Sequence, residues 1–153
     1  MQPPETEDLS YPGRRLGLPL QGPGSVASWA RRVLALVLDW VLANLVVLLV
    51  LRSSEPWTVG STLQLAPLVV WIVVVALSTG LTGASPGQHL LGLRVVRLDR
   101  RPVGLWNGII RTLLIALVIP PAVADRDRRG LHDLAVGTVV VNGPREEPWP
   151  RRG

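Results

Sequence analysis

The sequence predicts an all-α membrane protein. It reads as two transmembrane helices plus a third amphipathic, re-entrant or transmembrane helix, with short β or irregular segments on the cytoplasmic side. Three observations point there. Apolar residues make up 48% of the 153 positions, but they are gathered in two long blocks, 33–51 and 63–77, and not spread at period 2 or 3.6. Stretches rich in Arg, Pro and Gly separate these blocks. All 16 basic residues are Arg, and their placement along the chain is uneven.

The first block reads VLALVLDWVLANLVVLLVL, with only Asp39 and Asn44 polar. About 20 apolar residues in a helix cross a ~30 Å hydrocarbon core, so this block is a spanning helix. The second, from about 62 to 81, reads TLQLAPLVVWIVVVALSTGL. Its Pro67 falls near the first turn, where a missing N–H costs little. The third run, Leu105–Val118, carries Asn107 and Arg111 and meets Pro120-Pro121. Its uncharged part, Thr112–Ala124, has 13 residues. That length fits an interfacial, re-entrant or bundle-buried helix better than an independent span.

Charge sets the expected topology. Four Arg precede the first span, Arg52 lies between the two, and eleven follow the second. The positive-inside rule then places both termini in the cytoplasm of a multi-pass cell-membrane protein. A complete third crossing would put Arg126, Arg128 and Arg129 outside, against that rule. The expected layout is a disordered cytoplasmic tail over 1–25, a membrane domain over 26–142 with helices at about 28–52, 62–82 and 104–120, and a second disordered tail over 143–153.

The polar residues inside the apolar blocks carry the functional expectation. Asp39 lies about 9 Å into the first helix. A carboxylate there costs on the order of 2.5–3.5 kcal/mol unless it finds a partner. Arg32 is two turns earlier on the same face, and Ala35 and Ala43 share that stripe. On the third helix Gly104, Gly108 and Thr112 form a small-residue ridge beside Asn107 and Arg111. The second span carries Ala76, Gly80 and Ala84. Such ridges let helices approach closely in lipid. The spacing suggests an Asp39–Arg111 contact, with Arg32 as a third member. That cluster is either a structural lock or a transport site.

Other chemistry is thin. With no Cys and only His89 and His132, thiolate sites and a His-rich metal centre are excluded or disfavoured. No nucleophile elbow or glycine-rich phosphate loop occurs, so neither an enzyme nor a cofactor is expected. The net charge of +5 is not arrayed for nucleic acid. His132-Asp133 is read as a turn cap, or as Asp133 paired with Arg128 or Arg129. The segment Asp125–Arg129 is read as a solvated loop. Leu91–Leu98 and Val136–Asn142 are candidate short strands that pair at the membrane surface. The alternative for Gln88–Val96 is an interfacial helix.

The chain resembles the RDD family, named for one arginine and two aspartates. RVLALVLD over Arg32–Asp39 looks like the family's opening. GASPGQHLLGLRVV over Gly83–Val96, IRTLL from Ile110 and GLHDLAVGTVVV over Gly130–Val141 follow in the expected order. The resemblance makes Asp133 the second aspartate. It spans roughly Ser25–Asn142 and implies a small multi-pass membrane protein, with suggested roles that include ion or proton exchange. The family tends to have a basic residue after its Pro-Gly; here Gln88 stands there. The expected partners are the lipid bilayer and a membrane protein partner or second copies of the chain. The leading functional expectation is a structural or accessory component of a membrane complex; the alternative is an oligomeric transporter of small solutes, ions or protons.

Overall fold

A computed structural model of the chain describes residues 11–52, 60, 63–117 and 127–143. The architecture is mostly helical, with a small two-stranded antiparallel sheet. In chain order the elements are a short 3-10 turn (Arg14–Leu16), α1 (Trp29–Leu51), α2 (Ala66–Thr82), α3 (Pro86–Leu90), β1 (Leu93–Arg97), α4 (Leu105–Ala116), α5 (Leu131–Val136) and β2 (Thr138–Asn142).

Helix α1 begins where Ser28, in extended conformation, accepts a hydrogen bond from Arg31 N through its hydroxyl. That satisfies one of the first-turn donors a helix leaves open. The helix ends at Arg52 in the left-handed region. Of the described helices, this one is long and apolar enough to cross a membrane. Helix α2 starts later than the pattern predicts and has 17 residues, about 25 Å of rise. Pro67 sits in its first turn as expected. Helix α4 covers 12 residues. Most of the loop after Arg52, the Pro120-Pro121 pair and the segment 144–153 lie outside the described residues.

The helices meet through small residues. At Gly108 an added Cβ would lie 2.7 Å from the Ala76 carbonyl oxygen and 2.9 Å from Gly80 N. At Gly80 it would lie 2.8 Å from Leu105 Cα. Such distances leave no room for a side chain, so α2 and α4 cross backbone against backbone, as small residues permit. Ala43 packs with Trp71 and Val75, with Leu36 and Ile115 at the margin. Gly104 plays a different part from the ridge expected of it. Its φ is +75° and a Cβ there would meet nothing within 4 Å. It turns the chain into α4, a conformation glycine adopts without strain.

Strands β1 and β2 pair from Leu93↔Asn142 to Arg97↔Thr138. The sheet thus takes most of each predicted strand segment, Val136 ends helix α5 instead, and Pro86–Leu90 forms a separate helical turn before β1. Successive residues of β2 face opposite ways. Val140 packs with Ala27, Ala35 and Leu93 on one side, while Val139 and Val141 pack with Leu18 and Val26 on the other. The second set corrects an expectation for part of the N-terminal segment. Parts of 11–25 are packed: Gly13, Leu18, Gly24 and Ser25 are buried, Leu18 is 1% exposed, Val26 bridges Val141 and Gly13 N donates to Asp127 Oδ1 at 3.0 Å. A sheet of two strands with an apolar outer face needs a cover, and this segment provides it. Asp127 and Arg129, expected in a solvated loop, are buried for the same reason.

Candidate functional site

The site is built where α1, α3, α4, α5 and β2 converge. On α1 the predicted stripe faces inward, with Ala35, Asp39 and Ala43 all buried. The intervening residues Leu34, Val37, Val41 and Leu45 are about half exposed. Trp40 also points outward, while Trp71 of α2 is buried.

Asp133 is the centre of the charge cluster. Its side chain is fully buried. Oδ1 accepts from Arg111 Nε at 2.9 Å and from the Thr138 hydroxyl at 2.9 Å. Oδ2 faces Arg32 Nη1 at 3.4 Å and His132 Nε2 at 3.5 Å. Arg32 continues outward from this contact, donating to the Arg128 carbonyl at 2.6 Å and the Val140 carbonyl at 3.1 Å. Of the two expected partners of the Asp133 carboxylate, Arg128 and Arg129, the second instead donates Nε to the Thr138 carbonyl at 3.0 Å. One carboxylate thus ties α1, α4, α5 and β2 together. Burial alone would raise its pKa; the charges of Arg111 and Arg32 and the Arg111 hydrogen bond overcome this and lower it to about 2.

Asp39 has a different set of partners from those the spacing suggested. The Ser85 hydroxyl donates to Oδ2 at 2.6 Å and Gly87 N donates to Oδ1 at 2.6 Å. The Asp39–Arg111 contact does not form, because Arg111 is taken by Asp133. Both residues nevertheless line one cavity of about 70 Å³, together with Arg32, Trp71, Ser85 and His132.

The turn that holds Asp39 has a local explanation. Ser85 caps α3 by accepting from Gln88 N, and the Gln88 side chain accepts in return from Ser85 N, a reciprocal capping box. Gln88, which departs from the basic residue of the family pattern, thus closes this cap. Gly87 lies against α1 so closely that any Cβ would collide with the Ala35 carbonyl. The Ser-x-x-Gln spacing was a readable signal for the cap; nothing in the sequence signalled that it docks on Asp39. Thr138 and Trp71 were likewise not singled out for the site. Among the described residues, no group of three or more Asp, Glu, His or Cys is placed to hold a metal ion.

His132 gives the site a measurable pH response. Its side chain is 9% exposed. Burial pushes its pKa down from 6.5 to about 4, against the pull of Asp133 and with the push of Arg111 and Arg32. Between these values the unfolded chain binds a proton that the folded chain does not. Stability is therefore full above pH 6.5 and falls as the pH drops toward 4, by roughly 3 kcal/mol for this group. Unfolding in detergent at pH 7.5 and pH 5 should show about 2 kcal/mol of this drop, and His132→Asn should reduce it. The Asp133 contribution is lost only below the ordinary carboxylate range, outside this window.

No curated protein and no solved structure matches the chain. A family model does: that of the RDD family matches residues 26–137, which includes every residue of the Arg32, Asp39, Arg111 and Asp133 set. With well over half of its length matched, and with the arginine and both aspartates at the centre of its fold, the chain belongs to the RDD family.

Proposed function

We propose that this small membrane protein crosses the bilayer with α1 and α2, carries α4 against them, keeps both termini in the cytoplasm, and serves as a structural or accessory component of a larger complex in the cell membrane. The observation that carries this reading is the Asp133 staple. Its cations and hydrogen-bond donors are engaged in fastening segments far apart in sequence, as a lock requires. The outer faces support it too. Leu34, Val37, Val41, Leu45 and Leu49 range from 46% to 64% exposed, a surface that lipid and a partner helix both suit. No catalytic step is assigned to the chain. Affinity purification from native membranes in mild detergent should recover a stoichiometric second protein. A species containing this chain alone would overturn the accessory role.

The cavity beside Asp39 favours transport as a second reading. An ionisable group at the wall of a cavity within a spanning helix is where a solute, ion or proton pathway is expected. Two or three helices do not enclose a pathway by themselves, so this reading requires several copies. Flux into liposomes that is unchanged by Asp39→Asn would refute it.

A further inference from the structure

We infer that the cleft at the inner end of α2 binds the phosphate headgroup of an anionic phospholipid of the cytoplasmic leaflet, held by Arg94 and His89, with its acyl chains against Leu81 and Leu90. The inference rests on the membrane placement of α1 and α2 proposed above and is independent of the accessory role.

Position is the first ground. The cleft, of about 520 Å³, opens between the last turn of α2, helix α3 and the start of β1. Leu105 lies against Gly80, so the next residue, Trp106, stands near the height of Leu81. Trp106 is 77% exposed, and exposed tryptophan collects where hydrocarbon meets headgroups. Leu81 lines the cleft and is 72% exposed; Leu90, beside the cleft residue His89, is 67% exposed. Bare leucine at that height suits acyl chains and does not suit water.

Charge is the second. Among the described residues that line the cleft are Arg94 and His89, and no Asp or Glu. Arg94 is half-buried. Its side chain lies over Gly83, where an added Cβ would come within 3.6 Å of Nε, and Nη2 approaches the Thr82 carbonyl at 3.5 Å. The guanidinium therefore sits at the C-terminal end of α2, whose open carbonyls attract a cation. It carries five N–H donors in a fork that matches phosphate, so it serves a carbonyl and a phosphate together. His89 is anchored by Nδ1, which donates to the Ser85 carbonyl at 2.9 Å. Its Nε2, a donor when the ring is protonated, is then the nitrogen that meets the phosphate. Basic pockets on the cytoplasmic side of spanning helices hold anionic headgroups in this way.

Shape is the third. Gly92 and Gly143 also line the cleft, and an added Cβ at Gly92 would meet nothing within 4 Å, so the backbone there lies open to a ligand. A phosphoglycerol headgroup has roughly ten heavy atoms. At about 10–15 Å³ for each it fits within the cleft, whereas an inorganic ion fills far less of it.

The test places the full-length protein in nanodiscs of phosphatidylcholine doped with increasing phosphatidylglycerol and follows the imidazole resonances by NMR. The chain has two histidines, and His89→Gln assigns them by the signal it removes. The His89 resonance should shift saturably with phosphatidylglycerol, while that of His132, buried beside Asp133, should stay in place. Arg94→Gln should weaken the lipid about tenfold, the effect of one hydrogen bond to a charged group. A response that never saturates would mean diffuse attraction to an Arg-rich surface. An equal saturable shift with inorganic phosphate in pure phosphatidylcholine discs would mean a free-phosphate site. Either result overturns the proposal, as does unchanged lipid affinity in folded Arg94→Gln. The lipid series uses the unsubstituted chain, so it decides the matter even where that variant does not fold. A chain that enters the discs and shows no shift at His89 overturns this proposal alone; one that enters no disc overturns the membrane placement and this proposal with it.

Discussion

Asp133→Asn should cost about 3–5 kcal/mol of stability, the largest effect of any single substitution in the cluster. The carboxylate has no exposure and meets Arg111 at 2.9 Å and Arg32 at 3.4 Å. An amide of the same shape keeps the packing but leaves two guanidiniums facing each other in a dry interior. The loss arises from those uncompensated charges more than from the missing hydrogen bonds. Adding Arg111→Leu should therefore recover part of it, because one buried cation goes with its partner already absent. Unfolding by SDS titration, followed by far-ultraviolet circular dichroism, measures both variants. A double variant as unstable as the sum of the two single ones would show that the charges do not act as a unit. Asp99→Asn is the control. Asp99 also pairs with an arginine, Arg97, but on the surface, and exposed pairs of this kind contribute little; its midpoint should not move.

Gly87→Ala should destabilise by about 1–3 kcal/mol through a single added methyl group. The position is helical and tolerates alanine by backbone conformation, so intrinsic helix propensity alone predicts a gain. The tertiary contact reverses the sign. The new Cβ would collide with the Ala35 carbonyl and come within 3.0 Å of Asp39 Oδ1, and neither backbone gives way cheaply. Moving α3 away from α1 would also take the Ser85 and Gly87 donors from Asp39. Thermal unfolding in detergent checks the direction, with Gly92→Ala as a comparison in which the strain is only conformational, since a Cβ there meets nothing within 4 Å. An unchanged or raised midpoint for Gly87→Ala would mean that α3 does not bear on α1.

Both substitutions act at contacts that the linear pattern did not contain. The pattern did contain a good deal. Hydropathy marks α1 because burying apolar surface needs no information about partners. The period of the helix puts Ala35, Asp39 and Ala43 on one face, and that face is the buried one. Alternating and β-branched residues mark β1 and β2. Small residues at Gly80 and Gly108 mark a close crossing, although not which helices cross; Gly104 shows that the same spacing also serves a turn with positive φ. The Arg-and-two-Asp motif identifies the family.

The sequence by itself therefore determined which segments are apolar, which face of the first helix turns inward and which charged residues must find partners. Only the tertiary structure decided the pairings: Arg111 with Asp133, Asp39 with a capped turn, and Leu18 and Val26 over the sheet. The physical reason is range. Periodicity and hydropathy are local quantities that fix burial one element at a time. A buried charge instead takes whichever opposite group the whole chain brings within about 3 Å, and here that group lies 22 residues from Arg111 and 101 from Arg32.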